Sequence, residues 1–308
     1  GVAFPITDRG VIHFSYGHFF QVPNYELLYR NTEYKLAVGG ENIGIVGNAD
    51  LKPEQTISGE LGLQQAFTED LSIDITGYFR DIKDLTGTRA DIIRLFGGSG
   101  SYSQLVNSDF GFVKGIIFSL NKRFSNNWSG TVDYTLQSAK GNASDPNAVA
   151  DQRAGGVEPE VQLVPLNWDQ THTVNVTFSY SQENWGFSFI GQYGSGFPYT
   201  PSQSENQTKI LTNSLLKPNS FNADMRAYYD ILFGDFRISI FGRIYNIFDI
   251  SNENNVYDDS GTADYTLSEQ LRRQDGSLEL VNSIDEYYRN PTYYSEPRRI
   301  EVGITLYY

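Results

Sequence analysis

The feature that most constrains this chain is the period of two in its apolar residues. Asp74 lies between Ile73 and Ile75, and the same alternation of apolar and polar side chains continues on both sides of them. Because successive side chains of a β-strand point to opposite faces, this period predicts strands with one apolar and one polar face. We expect about ten such strands. They lie near residues 11–20, 55–67, 71–85, 111–124, 128–140, 172–181, 185–195, 221–233, 236–248 and 298–308.

The connections between these strands are of two kinds, and the two kinds alternate along the chain. Tight polar turns lie at 68–70, 125–127, 181–184 and 234–235, and every other connection is long. Compact soluble domains seldom carry so many long loops, whereas outer-membrane barrels combine short periplasmic turns with long external loops. The alternation therefore predicts an all-β fold, a transmembrane antiparallel β-barrel. The long connections lie at 21–54, 86–110, 141–171, 196–220 and 249–297, and only residues 25–29 suggest a turn of helix.

Aromatic residues are concentrated at the strand ends next to the short turns. Amphipathic rings prefer a membrane–water interface, so this banding indicates one aromatic girdle of a barrel. The alternative is that these rings form the core of a soluble β-sandwich. The residues are Phe67, Phe124, Trp128, Tyr180, Trp185, Phe233, Phe236, Tyr307 and Tyr308.

The composition excludes several classes of function. The 308 residues carry 37 acidic and 23 basic side chains, so nucleic acid is not an expected partner. The chain has no cysteine, which leaves neither a disulfide framework nor a thiolate metal site. There is no unbroken apolar run of about 18 residues, so a transmembrane helix is not predicted. Strands that face lipid with alternate residues remain compatible with a membrane location.

The first five residues, Gly1 to Pro5, lack the features of a secretory signal. They are typical of the end of a strand that is already under way. We therefore expect the sequence to begin within a longer protein.

Six segments carry short motifs that follow one another along essentially the whole chain. They are 14–23 (FSYGHFFQVP), 47–54 (GNADLKPE), 59–63 (GELGL), 195–201 (SGFPYTP), 245–249 (YNIFD) and 297–308 (PRRIEVGITLYY). The most specific is the pattern N-x-x-L-x-P-E followed by E-L-G. Together, in this order, these motifs resemble those of one family, the TonB-dependent transporters of bacterial outer membranes.

The resemblance implies a twenty-two-stranded barrel whose lumen is filled by a plug domain. Residues 1–308 would be its C-terminal part, about the last ten strands, with the plug and the first strands absent. The details of 249–308 resemble the receptors of Bacteroidota that carry a carboxypeptidase-regulatory-like front domain.

The resemblance also implies a function and a location. The expected function is active import of a nutrient, such as a siderophore, an oligosaccharide or a peptide, across the bacterial outer membrane, without enzymatic activity and without a cofactor. The implied partners are TonB with ExbB and ExbD, reached through the plug, the barrel assembly machinery, outer-membrane lipids and a surface lipoprotein lid. Two alternatives stay open: a complete small barrel acting as an adhesin or surface protease, and a soluble glycan-binding β-protein.

Tyrosines of the long connections are candidates for substrate contact, because tyrosine offers both stacking area and a hydroxyl group. We expect no catalytic residue, since the three histidines, His13, His18 and His172, have no metalloprotease spacing. His13 lies on the polar face of its strand and is expected to form hydrogen bonds in the lumen. The candidate tyrosines are Tyr25, Tyr29, Tyr257, Tyr287, Tyr288, Tyr293 and Tyr294.

Two further sets of residues are singled out near the C-terminus. Glu301, Gly303, Leu306 and Tyr308 match the spacing of the signal by which barrel assembly machinery recognises a last strand, which must offer a free edge. The last long connection is rich in oxygen ligands that suit Ca²⁺, but its spacing matches no EF-hand. We expect a solvated loop rather than a metal site. The carboxylates that would hold Ca²⁺ are Asp258, Asp259 and Asp264.

Overall fold

The computed structural model describes residues 1–31, 42–89, 91–94, 100–143, 145–154, 163–202, 212–234, 236–267 and 290–307. Most of them belong to one sheet. Eleven strands follow one another in it as an antiparallel meander, each paired with the strand before it. These strands are β1 (Val2–Thr7), β2 (Gly10–Gln21), β4 (Glu54–Ala66), β5 (Leu71–Thr88), β7 (Ser101–Ser125), β8 (Trp128–Gly141), β10 (His172–Ser181), β11 (Trp185–Gly194), β14 (Ser220–Phe233), β15 (Phe236–Tyr245) and β16 (Arg299–Tyr307).

The long connections contain the remaining elements. Short strands add to the sheet or pair with each other, and β3 lies parallel to β7. In the described residues, no helix is long and apolar enough to cross a membrane. These elements are β3 (Asn42–Val46), β6 (Ile93–Arg94), β9 (Val164–Pro165), β12 (Pro198–Tyr199), β13 (Leu215–Leu216), the helices α1 (Tyr25–Tyr29) and α2 (Ala148–Ala154), and a 3₁₀ turn at Pro291–Tyr293.

The predicted strands are confirmed, with one addition and one correction. All ten segments are strands, and β1 precedes them, formed by the residues that the sequence suggested as the end of a strand. The turn of helix predicted at 25–29 is α1. The connection predicted at 86–110 is wrong in its bounds, because β5 and β7 remain paired as far as Thr88 and Leu105. Leu105 is completely buried there. Tertiary packing therefore stabilises a strand over residues 101–110, whose composition suggests a loop.

The sheet has one apolar and one polar face, because the side chains alternate along each strand and the register aligns the alternation between strands. Ile75 on β5 lies opposite Leu63 on β4 and Phe118 on β7, so apolar residues form continuous rows across the strands. This apolar face is widely exposed: Ile304 and Leu306 on β16 are 66% and 72% accessible. A face of this kind is suited to contact with lipid rather than water.

The short connections are hairpin turns with defined backbone conformations. Asn126 and Asn127 join β7 to β8 with φ of 50° and 71°, the left-handed pair that a two-residue type I′ turn needs. Asparagine tolerates this region better than most residues. The turns before β2, β5, β11 and β15 lie at the same end of the meander, so all the long connections lie at the other end.

A small apolar core lies on the polar face towards the long-connection end. Val113, Ala139 and Leu166 are almost fully buried and pack with Tyr78 and Ile82. Leu166 comes from the connection that follows β9, so this connection covers part of the wall. The covering is held by buried Asp169, whose carboxylate accepts a hydrogen bond from the Ala139 amide at 2.9 Å.

Candidate functional site

The polar face of the sheet carries a network of hydrogen bonds between neighbouring strands, which we name the polar wall. On β2 and β5, the His13 ring nitrogen Nε2 lies 3.6 Å from the Asp74 carboxylate and 3.4 Å from the Thr76 hydroxyl. Ser15 donates to Glu60 at 3.3 Å. His13 therefore lies in the polar environment that the sequence predicted, and it contacts groups that only the strand register brings beside it.

Further along the polar wall, arginines surround an aromatic ring. Arg226 and Arg243 are opposite each other on β14 and β15. Their guanidinium carbons lie 5.7 and 5.0 Å from the ring centroid of Phe241. Glu301 on β16 lies 3.7 Å from Arg243, which offsets part of the repulsion between the two cations. No sequence motif singled out this group, although the period of two places all four side chains on the polar face.

In the described part of the last long connection, aromatic and acidic side chains form a compact group, which we name the outer-loop cluster: Tyr257, Tyr293, Tyr294, Glu253 and Asp264. The rings of Tyr257 and Tyr293 have centroids 5.1 Å apart. The Tyr294 hydroxyl donates to Asp264 at 2.6 Å. Glu253 accepts from the Ala263 amide at 2.5 Å. Three of the predicted tyrosines are thus brought together.

The other four candidate tyrosines are not part of the outer-loop cluster as described. Tyr25 and Tyr29 lie on α1 in the first long connection, where both are exposed. Tyr287 and Tyr288 lie outside the described residues. Substrate contact by any of the seven stays a prediction.

Two buried asparagines tether the outer-loop cluster to the sheet. Asn252 accepts from the Phe221 amide at 2.8 Å and donates to the Phe221 carbonyl at 2.9 Å, in the manner of a strand partner. Asn246 donates to the carbonyls of Ile250 and Glu296, at 2.9 and 3.1 Å. The two ends of the connection are therefore joined to β14 and to each other. No sequence signal marked Asn252 for this role.

The acidic residues proposed for calcium make other contacts. Asp259 accepts from the Thr266 hydroxyl at 2.6 Å, and Asp264 accepts from Tyr294. The Asp258 carbonyl accepts from the Ser202 amide at 3.0 Å. Burial, followed by the negative charge of Asp258, raises the pKa of Tyr199. Among the described residues, no three histidines or carboxylates come together as a metal site. The expectation of a solvated loop rather than a calcium site stays a prediction.

The residues of the predicted assembly signal are divided between the two faces of β16. Glu301 and Gly303 lie on the polar face, and a Cβ on Gly303 would meet the ring of Phe241 at 2.4 Å. Leu306 lies on the apolar face, and Tyr308 is outside the described residues. Within the described sheet, β16 pairs with β15 alone, so it presents an open edge. The use of these residues in assembly stays a prediction.

An antiparallel meander with an apolar outer face, a polar inner wall, short turns at one end and long connections at the other is the wall of an outer-membrane β-barrel. Residues 1–247 match the family described as TonB dependent receptor-like, beta-barrel. The chain belongs to this family, and its location is the bacterial outer membrane. Members of the family are transporters and receptors rather than enzymes. A comparison with curated protein sequences gives no match.

Solved structures of outer-membrane receptors share the fold at low sequence identity. The outer membrane transporter YddB from Escherichia coli has a TM-score of 0.60 and 12% identity, covering 80% of this chain and 35% of that one. A mutant of the ferric enterobactin receptor PfeA from Pseudomonas aeruginosa, in complex with enterobactin, has a TM-score of 0.59 and 15% identity, covering 99% and 39%. The ferripyoverdine receptor of Pseudomonas aeruginosa, bound to ferripyoverdine, has a TM-score of 0.59 and 11% identity, covering 99% and 32%. The chain thus spans about a third of the length of these structures.

Proposed function

We propose that the complete protein imports a nutrient across the outer membrane, using energy delivered through TonB. The observation that carries this proposal is the family match over residues 1–247. The polar wall then faces the lumen, and the long connections face the outside of the cell. We infer that this chain belongs to a larger barrel, because the described meander is an open path from β1 to β16.

The polar wall supports a role in the passage of substrate through the lumen. Its contacts are hydrogen bonds and ion pairs between strands, such as the bond of 2.8 Å from the Tyr78 hydroxyl to Gln137. Both signs of charge are present, with Asp74 and Glu60 on some strands and Arg226 and Arg243 on others. A wall of this kind can bind a plug or a hydrated substrate by many weak polar contacts. The proposal that the protein has no enzymatic activity is supported by its family, whose members are transporters and receptors.

The outer-loop cluster supports a role in substrate capture. Tyr257 and Tyr293 pair their rings, and the Tyr294 hydroxyl is held by a carboxylate. Aromatic faces with fixed hydroxyl groups bind sugars, peptides and catechol-type chelates. Siderophores, oligosaccharides and peptides are accordingly the substrate classes to test. Two of the solved structures that share the fold hold such ligands, one in complex with enterobactin and one bound to ferripyoverdine.

The proposed partners follow from the same function. TonB, with ExbB and ExbD, would act on a plug domain, and barrel assembly machinery would recognise β16. A surface lipoprotein lid would contact the long connections. The Bacteroidota-type front domain is proposed from the resemblance of residues 249–308.

The import proposal is tested in cells that carry the complete gene, a deletion of it, or a deletion of tonB. Three labelled probes are offered: ⁵⁵Fe-loaded enterobactin, a ¹⁴C-labelled maltooligosaccharide and a ¹⁴C-labelled oligopeptide mixture. The expected result is uptake of one probe that both deletions abolish. Uptake that depends on this gene but not on tonB would contradict energised import.

The role of the outer-loop cluster is tested in the same cells with the double variant Tyr257→Ala/Tyr293→Ala. We expect weaker binding of the imported probe, about tenfold or more, because two stacking surfaces are lost. Tyr229→Ala is the matched control, since Tyr229 is exposed on the apolar face. Equal binding by both variants and the wild type would exclude the cluster from substrate contact.

A further inference from the structure

The apolar face of the sheet contains a groove centred on β5. Gly77 lies between Leu61 on β4 and Ile116 on β7, so one side chain is missing from an otherwise continuous apolar row. A Cβ on Gly77 would have no neighbour closer than the Leu61 carbonyl oxygen, at 3.9 Å. The groove has a volume of about 1000 Å³ and extends from Leu63 and Ile75 to Phe79 and beyond. Cavities of this size are large enough to hold a ligand.

The shape of the groove comes from glycines and from the placement of one ring. Gly59 lies opposite Phe79, and the Phe79 ring covers it, since a Cβ there would meet the ring at 2.4 Å. The ring is therefore drawn towards β4 and leaves the space beside Gly77 open. The walls are formed by Phe14, Leu61 and Leu136. The groove is thus built into the strands and needs no loop to form it.

Two lysines mark the end of the groove that is nearer to the long connections. Lys114 lines the groove and is paired with Phe79 and with Ser138. Lys140 lies two residues beyond Ser138 on the same face of β8, and both lysines are exposed. Neither ammonium group has an ion pair or hydrogen bond within the described part of the chain. Diagonal positions of this kind lie about 7–8 Å apart.

The other charges near this part of the face only partly offset the two lysines. Asp81 faces outwards one row further along, but it is paired with Lys83 at 3.0 Å. Buried Asp169 accepts a hydrogen bond from the Ala139 amide and interacts electrostatically with Lys140, so it offsets part of the charge of that lysine but has no such interaction with Lys114. The apolar face therefore carries an excess of positive charge at this point, in a chain whose net charge is −14.

Strand geometry puts the two lysines near one boundary of the apolar band. Eight residues separate Leu71, which follows a short turn, from Phe79, the partner of Lys114. With a rise of about 3.3 Å per residue and a tilt of about 45°, they span roughly 20 Å along the membrane normal. The apolar band of a barrel is about 25 Å tall, so Lys114 lies close to its outer boundary.

We propose that this groove is a binding site for one outer-leaflet lipid whose headgroup carries phosphate monoester groups. An acyl chain would lie against Leu61, Gly77 and Ile116, and Lys114 and Lys140 would bind the headgroup phosphate. The apolar groove and the cations lie in the order that such a lipid presents to a barrel: chain towards the midplane and anion at the interface. The site is on the outside of the wall, so it does not depend on the imported substrate.

The test uses the complete receptor, purified in detergent and analysed by native mass spectrometry. Bis-phosphorylated lipid A, its dephosphorylated form and phosphatidylethanolamine are titrated separately. We expect one lipid A to remain bound at low concentration, with clear preference over the other two lipids. Competition by inorganic phosphate alone should be weak, because it lacks the chain. If the wild type binds bis-phosphorylated lipid A no better than its dephosphorylated form, the proposal is overturned.

Two variants address the two halves of the site. Gly77→Phe fills the groove without a clash and is expected to weaken lipid A binding at least tenfold. Lys114→Gln/Lys140→Gln should reduce the preference for phosphorylated lipid, by about fivefold for each lysine lost. Gly242→Phe is the matched control, because Gly242 lies on the apolar face of β15 with open space around it. Heat-modifiable migration on gels shows that each variant is folded. If Gly77→Phe and Gly242→Phe bind lipid A equally, the groove is not the site.

Discussion

The two ends of the barrel wall are stabilised in different ways. At the short-turn end, neighbouring hairpins meet directly: Asp70 accepts hydrogen bonds from Thr68 and Ser125, and Lys122 contacts it at 2.5 Å. At the long-connection end, buried asparagines join segments that are far apart in sequence, such as Asn246 and Glu296. The short-turn end therefore depends on the backbone conformation of its turns. The long-connection end depends on a few side chains that form hydrogen bonds with backbone groups that have no strand partner.

The comparison indicates where the protein tolerates change. Short turns with left-handed residues set the strand register and leave little freedom. The long connections can vary in sequence provided that the tethering asparagines remain. If the proposed import function holds, substrate specificity can therefore change at the long-connection end while the strands stay the same.

The largest loss of stability is expected at the long-connection end, from Asn246→Ala. Asn246 is buried, forms three side-chain hydrogen bonds and has φ of 51°. The variant removes the side-chain partner of the Ile250 amide and of the Ile250 and Glu296 carbonyls, and it strains the backbone, so the free energy of unfolding should fall by about 2–4 kcal/mol. Denaturant unfolding in detergent measures the loss.

A matched variant, Asn246→Gly, separates the two causes of that loss. Glycine adopts positive φ without strain, so it should recover about 1 kcal/mol relative to alanine. The hydrogen bonds stay lost, and residues 249–267 should exchange their amide hydrogens faster in both variants. Unchanged exchange would mean that Asn246 does not tether the connection.

At the short-turn end, Asn127→Ala should lower the free energy of unfolding by a smaller amount, about 1–2 kcal/mol. The cause is backbone strain alone, because φ at this position is 71° in a two-residue turn. Asn127→Gly is the control and should leave the free energy of unfolding nearly unchanged. Equal losses for alanine and glycine would contradict a type I′ turn.

A smaller loss, with a defined pH dependence, is expected from Asp70→Asn. Hydrogen bonds from Lys122, Ser125 and Thr68 hold the pKa of the Asp70 carboxyl well below its ordinary value. A carboxyl with a lowered pKa contributes stability above its ordinary pKa, about 4, and loses it as the pH falls through the folded-state value.

The expected result is that wild type unfolds at a higher temperature than Asp70→Asn at pH 7, and that the difference shrinks below about pH 4. Thermal unfolding in detergent between pH 7 and pH 3 measures it. Asp230→Asn is the control, since Asp230 lies near another short turn and has no such network in the described residues. A difference that grows on acidification would contradict the lowered pKa.

The smallest effect is expected from Tyr294→Phe. The variant removes one exposed hydrogen bond to Asp264, which contributes about 0.5 kcal/mol. Global stability should hardly change, while amide exchange of the outer-loop cluster should increase. Tyr265→Phe is the control in the same connection. Identical exchange in the two variants would show that the bond does not order the cluster.

The sequence by itself determined the strands, their two faces and the ends at which they turn. The alternation around Ile73 and Ile75 needs only the geometry of a strand, and the turns at 68–70 and 125–127 depend on adjacent residues. The family motifs indicated the fold class because each is a short segment that can be recognised without knowledge of its contacts. The sequence could identify Tyr257, Tyr293 and Tyr294 as candidates, but it could not show that they lie together.

Only the tertiary structure decided which side chains meet. The contacts of His13 with Asp74, of Arg243 with Glu301 and of Asn252 with Phe221 depend on the register between strands and on the path of a long connection. The same holds for the extension of β7 to Ser101 and for the groove beside Gly77. The physical reason is that packing and hydrogen bonding between distant segments are set by the whole sheet, whereas period and turn conformation are set within a few residues.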